Sequence, residues 1–173
     1  MSLNTTDDAC LEAYQGELDY LMRTLQRLGV ASADLEDLAH ETFLVLRSTW
    51  QTYDRTRAFK PYLFGIAFRV ASSHRRRHWR EVSYADVDRP DVAPAPDRAF
   101  EANEARALVL AALQRIPLPR RVVLILHELD EVPMREVAST LGIPLFTAYS
   151  RLRKARRELE VALTPAPKRS VAP

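Results

Sequence analysis

Glu136-Val137-Ala138-Ser139-Thr140-Leu141-Gly142-Ile143-Pro144-Leu145-Phe146-Thr147-Ala148-Tyr149-Ser150-Arg151-Leu152-Arg153-Lys154-Ala155-Arg156 is the stretch on which the reading of this chain turns. Val137, Ala138 and Leu141 form one apolar stripe at helical spacing, and Ala148, Leu152, Ala155 and Leu159 form the next. Between them Gly142 suits the left-handed residue that ends a helix. The pattern is a helix, a tight turn and a second, strongly basic helix. With the stripe buried, Phe146, Tyr149, Ser150, Arg151, Arg153, Lys154 and Arg157 are left on the outward face, a composition suited to a DNA major groove and its phosphates. The alternative is an ordinary helical hairpin with a solvated basic face.

Working outward, the chain of 173 residues has room for two small domains. Its net charge of +2 decides little, because the charges are segregated. Acidic residues gather at Asp34, Glu36, Asp37 and Glu41; arginines gather at Arg75, Arg76, Arg77 and Arg80 and again from Arg151 to Arg157. Two binding surfaces of opposite sign follow from that distribution. The lone Cys10 cannot form an intramolecular disulfide, and the first residues lack the basic start and apolar core of a signal peptide. No apolar run approaches the roughly 18–20 residues that cross a bilayer, so a soluble, cytoplasmic protein without membrane insertion is expected.

Four glycines and abundant leucine, alanine and arginine favour an all-α fold of two small helical domains, the second a helix-turn-helix. The first domain is expected over residues 8–80. Leu11, Tyr14, Leu18, Leu21, Met22, Leu25 and Leu28 predict one helix from about residue 8 to 28, stopped by Gly29. A second, carrying Leu35, Leu38, Phe43, Leu46 and Trp50, starts near Ser32 or Asp34, either of which can cap it. After a polar turn over 51–58, Pro61 opens a third helix that runs to Arg80. The acidic, proline-rich segment 81–101 reads as an extended flexible linker. The second domain is expected over 102–163 and a disordered tail over 164–173. Within it Val122-Val123-Leu124-Ile125-Leu126 fits a strand by β-branching, but apolar spacing through Leu129 favours a helix.

The candidate sites divide by charge. Arg75, Arg76, Arg77 and Arg80 end a helix bearing Tyr62, Phe64 and Phe68, and cations beside aromatic rings suit single-stranded nucleic acid; equally, the phenylalanines can be core. Asp34, Asp37 and Glu41 share one helix face with Leu38 nearby, either a solvated face or a dock for a basic partner. In the basic helix Arg151 and Arg153 can donate paired bonds to guanine, while Lys154, Arg156 and Arg157 suit phosphates. His74 and His78, flanked by arginines, make a poor metal site. Glycine-rich phosphate loops, nucleophiles and metal-ligand spacings are missing from the sequence, so no catalytic residue, metal or cofactor is expected and the chain is read as a non-enzyme.

In this order (acidic helix, aromatic-basic helix, acidic linker, helix-turn-helix) the residues from Tyr14 to Leu163 resemble an extracytoplasmic-function sigma factor of the sigma-70 family. Asp34-Leu35-Glu36-Asp37-Leu38-Ala39-His40-Glu41-Thr42-Phe43 is similar to the family's polymerase-binding helix. The segment from Phe59 to Arg77 is similar to its promoter-melting helix, and Pro117-Leu118-Pro119-Arg120-Arg121 with the helix-turn-helix to its upstream-element reader. The resemblance implies that Asp34, Asp37, Leu38 and Glu41 bind core RNA polymerase, at the β′ clamp coiled coil. It implies a second contact of the chain with the β flap. It further implies that Lys60, Tyr62, Arg69, Ser73, Arg75, Arg76, Arg77 and Arg80 engage and melt the −10 element of promoter DNA. Phe146, Thr147, Tyr149, Ser150, Arg151, Arg153 and Lys154 would face the −35 element, and an anti-sigma factor is implied as a further partner. Tyr62, Arg69, Ser73, Pro144 and Tyr149 stand where the family usually has other residues, so the resemblance does not carry over the −10 base preference or the detailed −35 contacts. The rival is a stand-alone helix-turn-helix repressor or activator that binds duplex DNA as a homodimer.

Overall fold

The computed structural model describes the backbone of residues 3–84 and 101–164. Every regular element among these residues is helical, in agreement with the all-α expectation. Eight α-helices follow in order: α1 Leu3–Gly16, α2 Leu18–Leu28, α3 Leu35–Thr49, α4 Phe59–Tyr84, α5 Glu101–Gln114, α6 Leu118–Leu124, α7 Met134–Leu141 and α8 Leu145–Leu163. None is long and apolar enough to cross a membrane.

The first four helices form one unit. Leu21, Leu25 and Leu28 of α2 meet Leu38 and Leu46 of α3 and Leu63, Phe64, Ile66 and Ala67 of α4, all buried. Burying a leucine, isoleucine or phenylalanine side chain removes enough apolar surface to stabilise the fold by about 1.5–3 kcal/mol each. The single helix expected over 8–28 is two helices broken at Glu17, where the weak helix former Gly16 precedes a residue at φ −115°, ψ 15°. Neither Ser32 nor Asp34 caps α3 through its side chain; residues Ser32–Asp34 form a short 3-10 turn and lead straight into it. Trp50, expected on that helix, lies in the 3-10 turn Trp50–Thr52 that follows it. Helix α4 continues to Tyr84, so the start of the expected linker is helical. Glu101, the expected linker's last residue, opens α5, while residues 85–100 of that linker and 165–173 of the expected tail lie outside the described residues.

The remaining helices form the second unit, with α6 packed on α8 and α7 against α8. The stretch 122–126 is helical and wholly buried, as its spacing favoured, but the helix widens to a π turn over Ile125–Leu129. There the Asp130 amide donates to the Ile125 carbonyl at 3.0 Å, and the Val132 amide to Leu126 at 2.9 Å. Glu131 then takes a left-handed φ of 55°, costly for a residue with a Cβ.

Helices α2 and α7 end by the same device. Gly29 (φ 92°) and Gly142 (φ 63°) adopt the conformation that glycine tolerates without steric cost. The following amides, of Val30 and Ile143, reach back to Leu25 and Ala138 and satisfy carbonyls that the helix end leaves open.

The two units dock on each other through polar anchors. Arg121, only 4% exposed, donates to Gln114 and Ile116 carbonyls in its own unit and from Nη1 to the Leu28 carbonyl, 3.1 Å away in the first. Arg75 donates to that same carbonyl at 3.0 Å, so two guanidiniums cap the negative end of α2. Among the described residues Arg121 has no carboxylate partner, and burial, with Arg75 nearby, pulls its pKa down to about 10. Asp130 completes the junction from the opposite direction. It accepts from the Tyr20 hydroxyl at 2.7 Å and from Arg27 at 3.2 Å.

Candidate nucleic-acid interface

Helix α8 sets the first surface. Pro144 leads into it with extended backbone, and the buried Ala148, Leu152 and Ala155 fix its rotation against α7. That rotation turns Phe146 (84% exposed) and Tyr149 (55%) outward together with Arg153, Lys154 and Arg157. Thr147, Ser150 and Arg151 lie half-buried at the margin of the same face. Among the described residues Arg151, Arg153 and Lys154 form no ion pair or side-chain hydrogen bond within the chain, so their donors remain available. Arg156 differs. Its Nε donates to Glu128 at 2.9 Å, and Arg120 grips Glu158 at 2.7 Å, so these cations hold α8 to its own unit.

Helix α4 carries the second surface, less open than its sequence suggests. Phe64 is fully buried and belongs to the core, and Phe68 packs half-buried against it, so neither ring stands free for a base. Tyr62 is half-buried, with its hydroxyl donating to Thr49 Oγ1 at 2.7 Å and its ring stacked on Tyr53 at 4.5 Å. Lys60 lies 3.7 Å from Glu17. Ser73 is half-buried, Arg69 and Arg76 are exposed, Arg75 is tied to Leu28, and Arg77 is paired with Glu41 at 3.1 Å. The side chain of Arg80 lies outside the described residues.

The loop before α4 joins this surface, a role that reading it as a plain polar turn missed. Asp54 accepts from the Thr56 amide at 3.0 Å and hydroxyl at 2.7 Å, bonds that hold its carboxyl below the usual range. The Tyr53 hydroxyl donates to the Arg57 carbonyl, and Arg55 lies over the Trp50 ring. Tyr53, Arg57, Tyr62 and Arg69 line a cleft of about 240 Å³ whose far wall is Glu136 and Thr140 of α7. The signal was available: Trp50, Tyr53, Arg55 and Arg57 repeat in that segment the pairing of ring and cation that singled out α4.

The acidic ridge lies on α3. Asp37 is exposed, and Asp34 and Glu41 are partly so, with side chains 41% and 40% exposed. Leu38 is a correction: at 2% exposure it is packed into the core and presents nothing to a partner. His74 faces Asp34 at 4.0 Å and lies parallel to His78, and no metal-ligand cluster occurs among the described residues.

Against known families, residues 11–81 match the model described as sigma-70 region 2, and residues 106–159 the model described as sigma-70, region 4. The chain belongs to the sigma-70 family. Among similar proteins, RNA polymerase sigma factor NccH of Alcaligenes xylosoxydans xylosoxydans is 27% identical over 149 residues, covering 83% of this chain and 80% of the relative. The ECF RNA polymerase sigma factor SigE of Mycolicibacterium smegmatis is 29% identical over 152 residues, 86% of this chain and 59% of its own. In fold, this sigma-70 chain is similar to RpoE of Bartonella quintana, solved with the anti-sigma factor NepR (TM-score 0.65, 20% identity, 87% of this chain and 96% of that one). It is also similar to CnrH, solved with the cytosolic domain of CnrY (TM-score 0.59, 17% identity, 91% and 96%).

What reading the sigma-70 chain by periodicity missed lies mainly between its halves. Arg121 stood there only as the last residue of Pro117-Leu118-Pro119-Arg120-Arg121, and Asp130 lay just past the apolar spacing that ends at Leu129. Neither residue type, alone in a sequence, reveals a partner about a hundred positions away.

Proposed function

We propose that this chain is the promoter-specificity subunit of RNA polymerase, acting where that enzyme acts, in the cytoplasm, with no catalysis of its own. The acidic ridge Asp34, Asp37 and Glu41 docks on a basic coiled coil of the core enzyme, where complementary charge speeds encounter and fixes orientation. The face of α4 with the 51–58 loop holds the separated strand at the −10 element. Stacking on Tyr53 and Tyr62 offsets the cost of opening the duplex. Phe146, Thr147, Tyr149, Ser150, Arg151, Arg153 and Lys154 read the −35 element. An arginine there donates to guanine through two bonds, while Phe146 suits a thymine methyl. An anti-sigma protein, the kind of partner with which RpoE of Bartonella quintana was solved, is the expected antagonist.

The observation that carries this reading is the outward cationic and aromatic face of α8, unpaired among the described residues, in the same chain as an exposed carboxylate ridge on α3. A duplex-only homodimeric repressor needs the first and has no use for the second. Purified chain mixed with core polymerase should give a one-to-one complex and transcripts from defined start sites. Asp37→Arg with Glu41→Arg should abolish the complex and leave the circular dichroism unchanged. A core enzyme that stays as unselective as before would overturn the assignment, and tight binding to palindromic duplex without polymerase would favour the repressor.

A further inference from the structure

We propose that Phe146, with Tyr149 beside it, selects a base for this chain by taking the methyl group of a thymine in the upstream element, close to a guanine held by Arg153. The proposal deepens the reading of α8 given above and rests on it.

Three features carry it. The first is position. Phe146, Ser150, Arg153 and Arg157 recur at steps of four, three and four, so at 3.6 residues per turn they fall within about 60° of arc. That arc lies opposite the buried Ala148, Leu152 and Ala155, and Phe146 is its member nearest the start of the helix, where a recognition helix reaches base edges. The second is an unused ring. Phe146 is more exposed than any other large hydrophobic side chain among the described residues. The rings before α4 occupy one another, Tyr53 stacking on Tyr62 at 4.5 Å and on Trp50 at 5.7 Å, whereas Phe146 has no ring partner among the described residues. The third is chemistry. A phenyl ring has no donor or acceptor, so against the polar edge of another base it would strip away water and give nothing back. The apolar group that the major groove offers is the thymine C5-methyl. Tyr149, exposed three positions further on, widens the apolar patch with its ring and keeps its hydroxyl in water.

The surroundings of the ring decide its class of partner. Arg153, Lys154 and Arg157 share the outward face, and an isolated ring among cations fits a polyanion that carries an apolar group better than it fits an apolar protein surface. The order along α8 also sets a spacing. From Phe146 to Arg153 is seven residues, about 10 Å along the helix axis. At about 3.4 Å per base step, the thymine and the guanine lie within about three base pairs of each other.

The test uses the full chain joined to core polymerase. Start sites mapped on genomic DNA fragments locate a promoter, and duplexes carrying its upstream element are then altered one base at a time, with binding read by competition in fluorescence anisotropy. Replacing thymine by deoxyuridine removes the methyl and keeps the pairing with adenine. At one position that change should weaken the wild-type complex by about fourfold. With cytosine at that position, changing it to 5-methylcytosine should recover a similar factor. Phe146→Ala places a better helix former at an exposed site, so the fold is kept, and it should bind the thymine and deoxyuridine duplexes equally. Phe146→Leu, still apolar, should keep part of the difference. The guanine whose preference is lost in Arg153→Ala should lie within about three base pairs of that thymine. Thymine and deoxyuridine bound alike at every position by the wild type, or a difference that survives in Phe146→Ala, overturns the proposal and leaves α8 as the upstream reader. Weaker binding of Phe146→Ala to core enzyme with unaltered base preference assigns the ring to a protein contact and overturns it as well. If duplexes with and without the element bind alike, the reading of α8 falls and the proposal with it.

Discussion

Helices α4 and α8 are both long and both rich in arginine, yet their cations do different work. On α4, Arg75 is bound to the Leu28 carbonyl and Arg77 to Glu41. On α8, Arg153, Lys154 and Arg157 face outward without an intramolecular ion pair among the described residues. The difference arises from what lies beside each helix. The end of α4 runs past the carbonyl terminus of α2 and the acidic flank of α3, which both attract guanidinium, whereas the outer face of α8 has no packed neighbour among the described residues. Composition identifies a helix that carries charge, and its surroundings decide whether that charge is structural or available.

Arg121 gives the largest expected effect, because it lies at the structural extreme of that contrast. Its guanidinium serves carbonyls at the ends of two helices, and truncation would leave them unpaired beside a new cavity. Arg121→Ala should lower stability by about 2–4 kcal/mol, on the order of 10 °C in the melting temperature of a chain this size, read by calorimetry. A loss below about 1 kcal/mol would mean that water replaces the guanidinium freely.

Arg153 is the opposite case. Arg153→Ala should leave the melting temperature unchanged and cost about 1–3 kcal/mol of binding at particular bases of the upstream element. An equal loss on every sequence, with the salt dependence reduced by about one phosphate, would reassign it to the backbone. Between the two stands Arg75, half-buried and bonded to one carbonyl. Arg75→Ala should destabilise the chain by about 1–2 kcal/mol, and single-strand affinity should fall little more than that of a control at exposed Arg76. A large, selective loss of strand binding would return Arg75 to the nucleic-acid surface and remove the contrast between the helices.

These cases also mark what was legible beforehand. The helix-turn-helix could be read because its determinants are local: apolar stripes at helical spacing, a glycine that must adopt positive φ, and cations on the face left over. Phe146 and Tyr149 pointed outward for the same reason. Phe64 and Leu38 could not be placed, since an aromatic or leucine on an amphipathic helix fits core and interface equally until the neighbouring helix is known. The break at Glu17 went unseen because the leucine spacing runs on through it while the backbone does not. The polar anchors between the halves depend on residues such as Tyr20 and Asp130 meeting across 110 positions, and no periodicity encodes that.

The Arg77–Glu41 pair provides the smallest effect and the most demanding comparison. Both side chains are substantially exposed, 53% and 40%, so solvent screens the pair and a double-mutant cycle should give a coupling of about 0.2–1 kcal/mol in stability. Yet Glu41 belongs to the ridge assigned to polymerase and Arg77 to the helix assigned to DNA. If polymerase takes Glu41, it must first break this pair, and Arg77→Ala removes that competition. Affinity for core enzyme should therefore rise in Arg77→Ala, by no more than the coupling itself, about fivefold at most. The wild-type chain would gain something in return, because Arg77, released from Glu41 as polymerase binds, becomes free to face the DNA strand. A fall in polymerase affinity on the same substitution would show instead that Arg77 orients Glu41 for its partner, and the two surfaces would then have to be treated as one.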